Sequence, residues 1–271
     1  MINRICTFYF TGTDTTKTVV QTLAQEIAKN LEIDDIFDYN FTTPEAREEM
    51  PIFSEGDLVI TGVPTIAGRV PNLLLPYLGK IEANGALGVP IGLFGNRNID
   101  DCLVELRDLM KNGGMNIIAG GAFVGEHSFS EILAKGRPDN KDIEIIKEFG
   151  KKIAEKIKKE DISEPEMVGE VPYRKYYTPR DRHGNGIDIR KVKPKTDMEK
   201  CIDCKLCAEI CPMGAIDFVE VSQTPGICMK CCACIKKCPT YAKYFDDEGY
   251  LYHAHELEDL YERRAEVEYF V

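Results

Sequence analysis

Cys201-Ile202-Asp203-Cys204-Lys205-Leu206-Cys207-Ala208-Glu209-Ile210-Cys211-Pro212 is answered further along by Cys228-Met229-Lys230-Cys231-Cys232-Ala233-Cys234-Ile235-Lys236-Lys237-Cys238-Pro239. Both stretches read Cys-x2-Cys-x2-Cys-x3-Cys-Pro, and together they hold nine of the chain's eleven cysteines, eight of them in the repeat. This pattern belongs to a cassette for two iron–sulfur clusters. Three thiolates spaced by two residues turn around one face of a cubane, whereas the next cysteine in the run is carried too far round to close the same cube. In paired runs the fourth ligand comes from the other run. One [4Fe-4S] cluster is therefore assigned to Cys201, Cys204, Cys207 and Cys238, and the second to Cys228, Cys231, Cys234 and Cys211. The proline after each fourth cysteine has a fixed φ and no N–H to donate, which sets the chain's exit from the loop. Cys232 is left over.

Zinc and disulfides are the rival readings. Zinc also favours Cys-x2-Cys pairs, but a tetrahedral site needs four ligands and has no use for a third cysteine at the same spacing in both halves. Dense adjacent thiols without a secretory leader argue against an oxidised framework.

At 271 residues, the chain is long enough for two domains, and 44% hydrophobic residues is ordinary for a globular protein. A formal net charge of -11 repels phosphate, so nucleic acid and anionic membranes are not expected partners. The start, Met1-Ile2-Asn3-Arg4, lacks the zones of a signal peptide, and no apolar run reaches the length of a membrane span. These features lead to the expectation of a cytoplasmic protein. Eight cluster thiolates also call for a reducing, low-oxygen interior, as in an anaerobe.

The N-terminal part reads as alternating strands and helices. Residues Ile5 to Phe10 form an apolar, aromatic run, followed by Thr11-Gly12-Thr13-Asp14-Thr15-Thr16 and a helical pattern through Val19, Val20, Leu23, Ile27 and Leu31. Strand, hydroxyl-rich loop and helix make up a phosphate-binding turn, although a threonine-rich helix cap has the same look. Further strands are expected at Asp57 to Thr61, Leu87 to Phe94 and Met115 to Ala119, with a weaker one at Ile33 to Tyr39. Helices are expected at Ile99 to Met110 and Lys141 to Lys159. The predicted fold is α/β, a doubly wound parallel sheet of five strands in flavodoxin-like order. Ligands bind such sheets at the carboxyl ends of the strands, which focuses attention on the loops Thr11 to Thr16, Gly62 to Pro71 and Gly95 to Asp100.

Thr11-Gly12-Thr13, the stretch from Gly62-Val63-Pro64-Thr65 through Arg69-Val70-Pro71, Gly95-Asn96-Arg97 and Gly121 to Ser128 resemble the loops of a flavodoxin–ferredoxin fusion family of anaerobic bacteria and archaea. The stretch Cys207 to Asp217 and the tail from Ala242 to Asp247 and His253 to Leu257 are similar to it as well. The resemblance implies a flavodoxin-like domain that often carries FMN, joined to a small α+β ferredoxin-like domain with two [4Fe-4S] clusters. The FMN-binding candidates it implies are Thr11, Gly12, Thr13, Thr15, Thr16, Pro64, Thr65, Ile66, Ala67, Gly68, Gly95, Asn96 and Arg97. Four positions depart from the pattern. Asp14 and Thr15 stand where such phosphate loops have Gly and Asn, and Asp14 repels a phosphate unless its carboxylate turns outward. Ile66 and Ile99 replace aromatic residues of the second and third loops, which removes face-to-face stacking on a flavin.

The remaining residues have plainer readings. Arg69 and Arg97 follow strand ends and face either an anion or a salt bridge. His127 is expected to pin its glycine-rich loop, and Cys6 and Cys102 to act as buried small hydrophobes. The segment from Pro172 to Lys195 is rich in Tyr, Arg and Lys and is expected to lie across the chain's own acidic surface. The division anticipated is residues 1–162 flavodoxin-like, 163–196 a basic, aromatic linker, 197–242 ferredoxin-like, and 243–271 a helical extension. The function this predicts is transfer of low-potential electrons through two clusters to or from FMN, with a redox protein as partner and no catalytic residue singled out. Two alternatives stay open: a flavin-dependent oxidoreductase acting on a small substrate, and a flavin-free ferredoxin with a flavodoxin-like docking domain.

Overall fold

In the first strand of the computed structural model, which describes residues 2–271, side chains alternate between two cores. In β1, Arg4–Tyr9, Cys6 and Phe8 point to one face of the sheet while Ile5 and Tyr9 point to the other, the period of two that a strand imposes. The chain continues through α1 (Thr15–Leu31), β2 (Ile36–Asn40), β3 (Asp57–Pro64), α2 (Leu75–Leu78), β4 (Leu87–Phe94), α3 (Cys102–Asn112), β5 (Asn116–Ile117), β6 (Gly120–Val124) and α4 (Asn140–Lys158). The parallel strands run β2-β1-β3-β4-β6, a flavodoxin-like order, with β5 pairing the start of β4. Phe149 and Ile153 of α4 join Val19, Leu23 and Ile27 of α1 over one face, and Leu103 and Leu106 of α3 join Phe41 and Phe53 over the other.

The last parallel strand differs from expectation. Met115 to Ala119 supplies only the two-residue β5, and the strand that pairs Ile91 to Phe94 is Gly120–Val124, part of a stretch read from sequence as a loop. Two glycines disguised it. A Cβ at Gly120 would lie 2.6 Å from Met167 Cε, so the bare backbone is what lets the linker close over the strand.

The start of the basic, aromatic segment packs on acidic residues of α3 and the turn before it. Arg174 grips the fully buried Asp101, Tyr173 Oη donates to Asp108, and Arg69 pairs with Glu105 between the rings of Tyr173 and Tyr176. Beyond it, β7 (Lys195–Thr196) pairs antiparallel with β8 (Lys243–Tyr244), bracketing the cysteine runs with their short helices α5 (Leu206–Glu209) and α6 (Ala233–Lys236). After α7 (Glu248–Leu260) the chain returns to the first sheet, where β9 (Glu268–Phe270) adds an antiparallel edge to β6. The sequence indicated only a helix in this tail. Among the described residues no helix is long and apolar enough to cross a membrane.

Candidate functional site

The two cysteine runs fold into the same loop twice. The residues flanking the second cysteine of each run, Asp203 and Lys205, then Lys230 and Cys232, all have φ between 54° and 64°. A short helix begins one residue later in each copy, α5 at Leu206 and α6 at Ala233. The last cysteine of each run accepts a backbone N–H from four residues on: Ala215 to Cys211 Sγ at 3.3 Å and Ala242 to Cys238 Sγ at 3.2 Å. Such donors favour the thiolate a metal needs.

The thiols distribute over two cavities. The first is lined by Cys201, Cys204 and Cys207 together with Cys238 of the other run, among Ile202, Leu206, Ile210 and Val221. The second is lined by Cys228, Cys231 and Cys234 together with Cys211, among Met213, Ile216 and Phe245. Cys234 also borders the first, and the extra Cys232 borders the second, buried with its sulfur 3.5 Å from the Tyr250 hydroxyl. In each cavity three thiols of one run and the last thiol of the other border a common space. That donor set fits a cluster. Burial raises the Cys207, Cys228 and Cys234 thiols and pushes Cys231 up to about 12. Burial also acts on Cys238, but the N–H groups of Thr240 and Ala242 outweigh it and hold that thiol below its ordinary value. The charge of a bound metal would ionise the buried ones.

A third cavity lies at the carboxyl ends of β1, β3 and β4. Of the candidates for FMN, Gly12, Thr13, Thr15, Thr16, Pro64, Thr65, Ile66 and Gly95 line it. The hydroxyls of Thr11 and Thr65 are buried without a hydrogen-bond partner, and α1 opens on Asp14 with no side-chain cap. Thr65 borders the cleft and Thr11 does not, so it is the uncapped N–H groups at the start of α1 that suit an anion such as a phosphate there. Asp14 takes a left-handed φ of 65°, and its carboxylate turns outward to Lys237 Nζ at 2.9 Å, which removes the repulsion the sequence raised.

The sequence did not single out Cys231 as part of this cleft. A Cβ on Gly12 would lie 3.1 Å from Cys231 Cβ and 3.5 Å from its Sγ, so the glycine lets the cluster loop close onto the threonine-rich loop. Lys236 fixes the approach, donating to Glu126 Oε1 at 2.8 Å and to the Ser130 carbonyl at 2.6 Å, and Arg47 donates to the Pro212 carbonyl. Phe10, Leu93, Phe94, Gly125, Glu126 and Ser128 complete the lining, with the Glu126 carboxylate held by Lys236. The two phenylalanines precede loops, and a search for aromatics at strand ends would have found them.

The other candidates are engaged by the chain itself. The Ala67 carbonyl accepts the Tyr177 N–H at 2.8 Å, and Gly68 packs on Asp100. Asn96 Nδ2 donates to the carbonyls of Tyr261 and Arg263, and Arg97 lies over the Tyr177 ring. Ile99 is a core residue against Gly92. His127 Nδ1 accepts the Phe129 N–H at 3.1 Å, and burial lowers the imidazole to about 4, leaving it a neutral pin for its loop. Cys6 and Cys102 are fully buried.

Residues 194–217 match the family model described as 4Fe-4S binding domain. The chain is 35% identical over 71 residues to the putative oxidoreductase UacF of Escherichia coli (strain K12), covering 24% of this chain and 11% of that protein. It is 42% identical over 53 residues to pyruvate synthase subunit PorD of Methanothermobacter marburgensis, covering 20% of this chain and 64% of that one. The chain thus spans less than two thirds of either relative. Among solved structures it is similar to the Streptococcus pneumonia TIGR4 flavodoxin (TM-score 0.39, 17% identity, 56% of this chain and 99% of that one). It is also similar to a Fusobacterium nucleatum flavodoxin bound to flavin mononucleotide (TM-score 0.37, 20% identity, 59% and 99%). The ferredoxin-type segment and the flavodoxin-like sheet order together fit a flavodoxin–ferredoxin fusion.

Proposed function

We propose that this protein carries electrons between a redox partner and an FMN seated in the cleft, by way of two [4Fe-4S] clusters held in the crossed arrangement. The observation that carries the reading is the partition of the eight repeat cysteines over two cavities, one of which shares Cys231 with the cleft wall. A cluster supplies one-electron exchange when bound, and FMN exchange of one or two electrons. Cys201, Cys204, Cys207 and Cys238 would ligate the first cluster, and Cys228, Cys231, Cys234 and Cys211 the second. Leu206, Ile210 and Val221 would limit water at the inner side of the first cavity, as Met213, Ile216 and Phe245 would at the second. Thr11 to Thr16 and the start of α1 would hold the FMN phosphate, with Lys237 neutralising Asp14.

The engagement of Ala67, Gly68, Asn96 and Arg97 by the linker and tail favours a second reading, in which the cleft takes an anion without a flavin ring and the N-terminal domain serves docking. Acid release from anaerobically purified protein separates the two. A fluorescent yellow supernatant at about one flavin per chain supports the first. A supernatant without flavin fluorescence, from protein that was brown and iron-containing before the acid was added, supports the second.

A further inference from the structure

Of the two cavities, one faces the cleft and the other faces outward. Cys231 is packed against Gly12, whereas Cys204 is exposed. We propose that a one-electron carrier protein with a basic docking face seats on the surface around Cys204, so that electrons cross between solvent and cleft through the first cavity and then the second. The proposal rests on the electron-carrier reading above.

Three observations place the surface. Met198, Ile202, Phe218 and Val219 are exposed there, Val219 at 84%. Lys205 Nζ bonds both Asp203 Oδ1 at 2.7 Å and the Val219 carbonyl at 2.8 Å, which ties the turn at 217–220 to the loop that carries Cys204. The surround is acidic: residues 197–220 hold Asp197, Glu199, Asp203, Glu209, Asp217 and Glu220 against Lys200 and Lys205, a net of -4. Both lysines are already paired, with Asp197 at 3.0 Å and Asp203 at 2.7 Å. Exposed Glu199, Glu209 and Glu220 therefore present unbalanced negative charge around an apolar centre, which complements a lysine-rimmed partner. Transfer there breaks no bond and moves no proton. One electron leaves the reduced centre and reduces the oxidised centre of the other protein.

The test uses the anaerobically purified holoprotein, reduced with dithionite and mixed in a stopped-flow with a ferric, basic c-type cytochrome at low ionic strength. The double variant Glu199→Lys/Glu220→Lys is compared with Glu144→Lys/Glu155→Lys, which makes the same charge change on the outer face of α4. Expected is about a tenfold loss of the second-order rate constant for the first pair, under about twofold for the second, and convergence of all rates at high salt. Equal slowing by both pairs, or by neither, overturns the docking site. Iron, sulfide and cluster spectra are read on each sample, and Glu220→Lys alone, outside both runs, replaces the double variant if it fails to load; about threefold slowing is expected of it, and an unchanged rate overturns the docking site. Wild-type protein without iron–sulfur overturns the underlying functional reading instead.

Discussion

Replacing Asn96 by glycine is expected to release the C-terminal strand from the third cleft loop. Asn96 is 2% exposed; its Nδ2 donates to the Tyr261 and Arg263 carbonyls at 2.6 Å each, and its Oδ1 accepts the Ala265 N–H at 3.1 Å. Arg263 is exposed, so its carbonyl can turn to water, but Ala265 is only 4% exposed and its N–H would be orphaned. One fully buried orphan and two partly hydrated ones amount to about 2–4 kcal/mol. Glycine is the clean substitution, because Asn96 sits at φ 65°, where glycine adds no strain. At about 1.4 kcal/mol per factor of ten, opening of the tail should rise by between about thirtyfold and several hundredfold. Hydrogen–deuterium exchange followed by mass spectrometry on residues 261–271 measures it. Asn96→Asp, which keeps the acceptor and loses both donors, should fall between. Exchange in the variant within about threefold of the wild type would refute the clamp, since it would put the three bonds together at well under the ~1 kcal/mol typical of one.

Crossed ligation predicts that Cys238→Ser, although it lies in the second run, disrupts the first cavity, and that Cys211→Ser disrupts the second; cluster spectra of the two variants should therefore each lose the signal of the opposite run. Thr65→Val removes a buried hydroxyl that borders the cleft and has no partner within the protein, so the apo chain should keep its melting temperature or gain slightly. Flavin or phosphate affinity should meanwhile fall by about tenfold, read by titration calorimetry. At Asp101, burial opposes ionisation, but Arg174 and the N–H groups of Glu170 and Arg174 prevail and hold the carboxyl at about 2, against an ordinary 3.8. The folded pKa is the lower one, so this pair stabilises fully above about pH 4, by about 2 kcal/mol, and the contribution is lost as pH falls toward 2. Asp101→Asn should loosen the linker already at neutral pH, seen as faster tryptic cleavage after Arg174 or Lys175.

The parts legible in sequence were those whose physics is local. Cysteine spacing anticipates which thiols border each cavity, and the apolar runs at Ile5 to Phe10 and Leu87 to Phe94 became strands within a residue or so of their expected ends. Features that depend on distant partners were hidden. Gly120–Val124 reads as a loop until Met167 is seen to need its missing Cβ, and the three residues of β9 carry no periodicity of their own. Asp14 looked hostile to a phosphate because its counter-charge, Lys237, lies 223 residues away. Gly12 looked like part of a phosphate loop alone, yet its bare Cα is also what admits Cys231. The flavin candidates divided for the same reason: spacing identifies a loop at a strand end, but not that Tyr177 and the tail occupy its outer half.

The central claim is that eight thiols hold two cubane clusters in the crossed arrangement. Quantifying iron, acid-labile sulfide and zinc in protein purified without oxygen tests it most directly. Two [4Fe-4S] clusters require about eight iron and about eight sulfide per chain, falling to about four of each in Cys238→Ser. About two zinc per chain with no sulfide would contradict it.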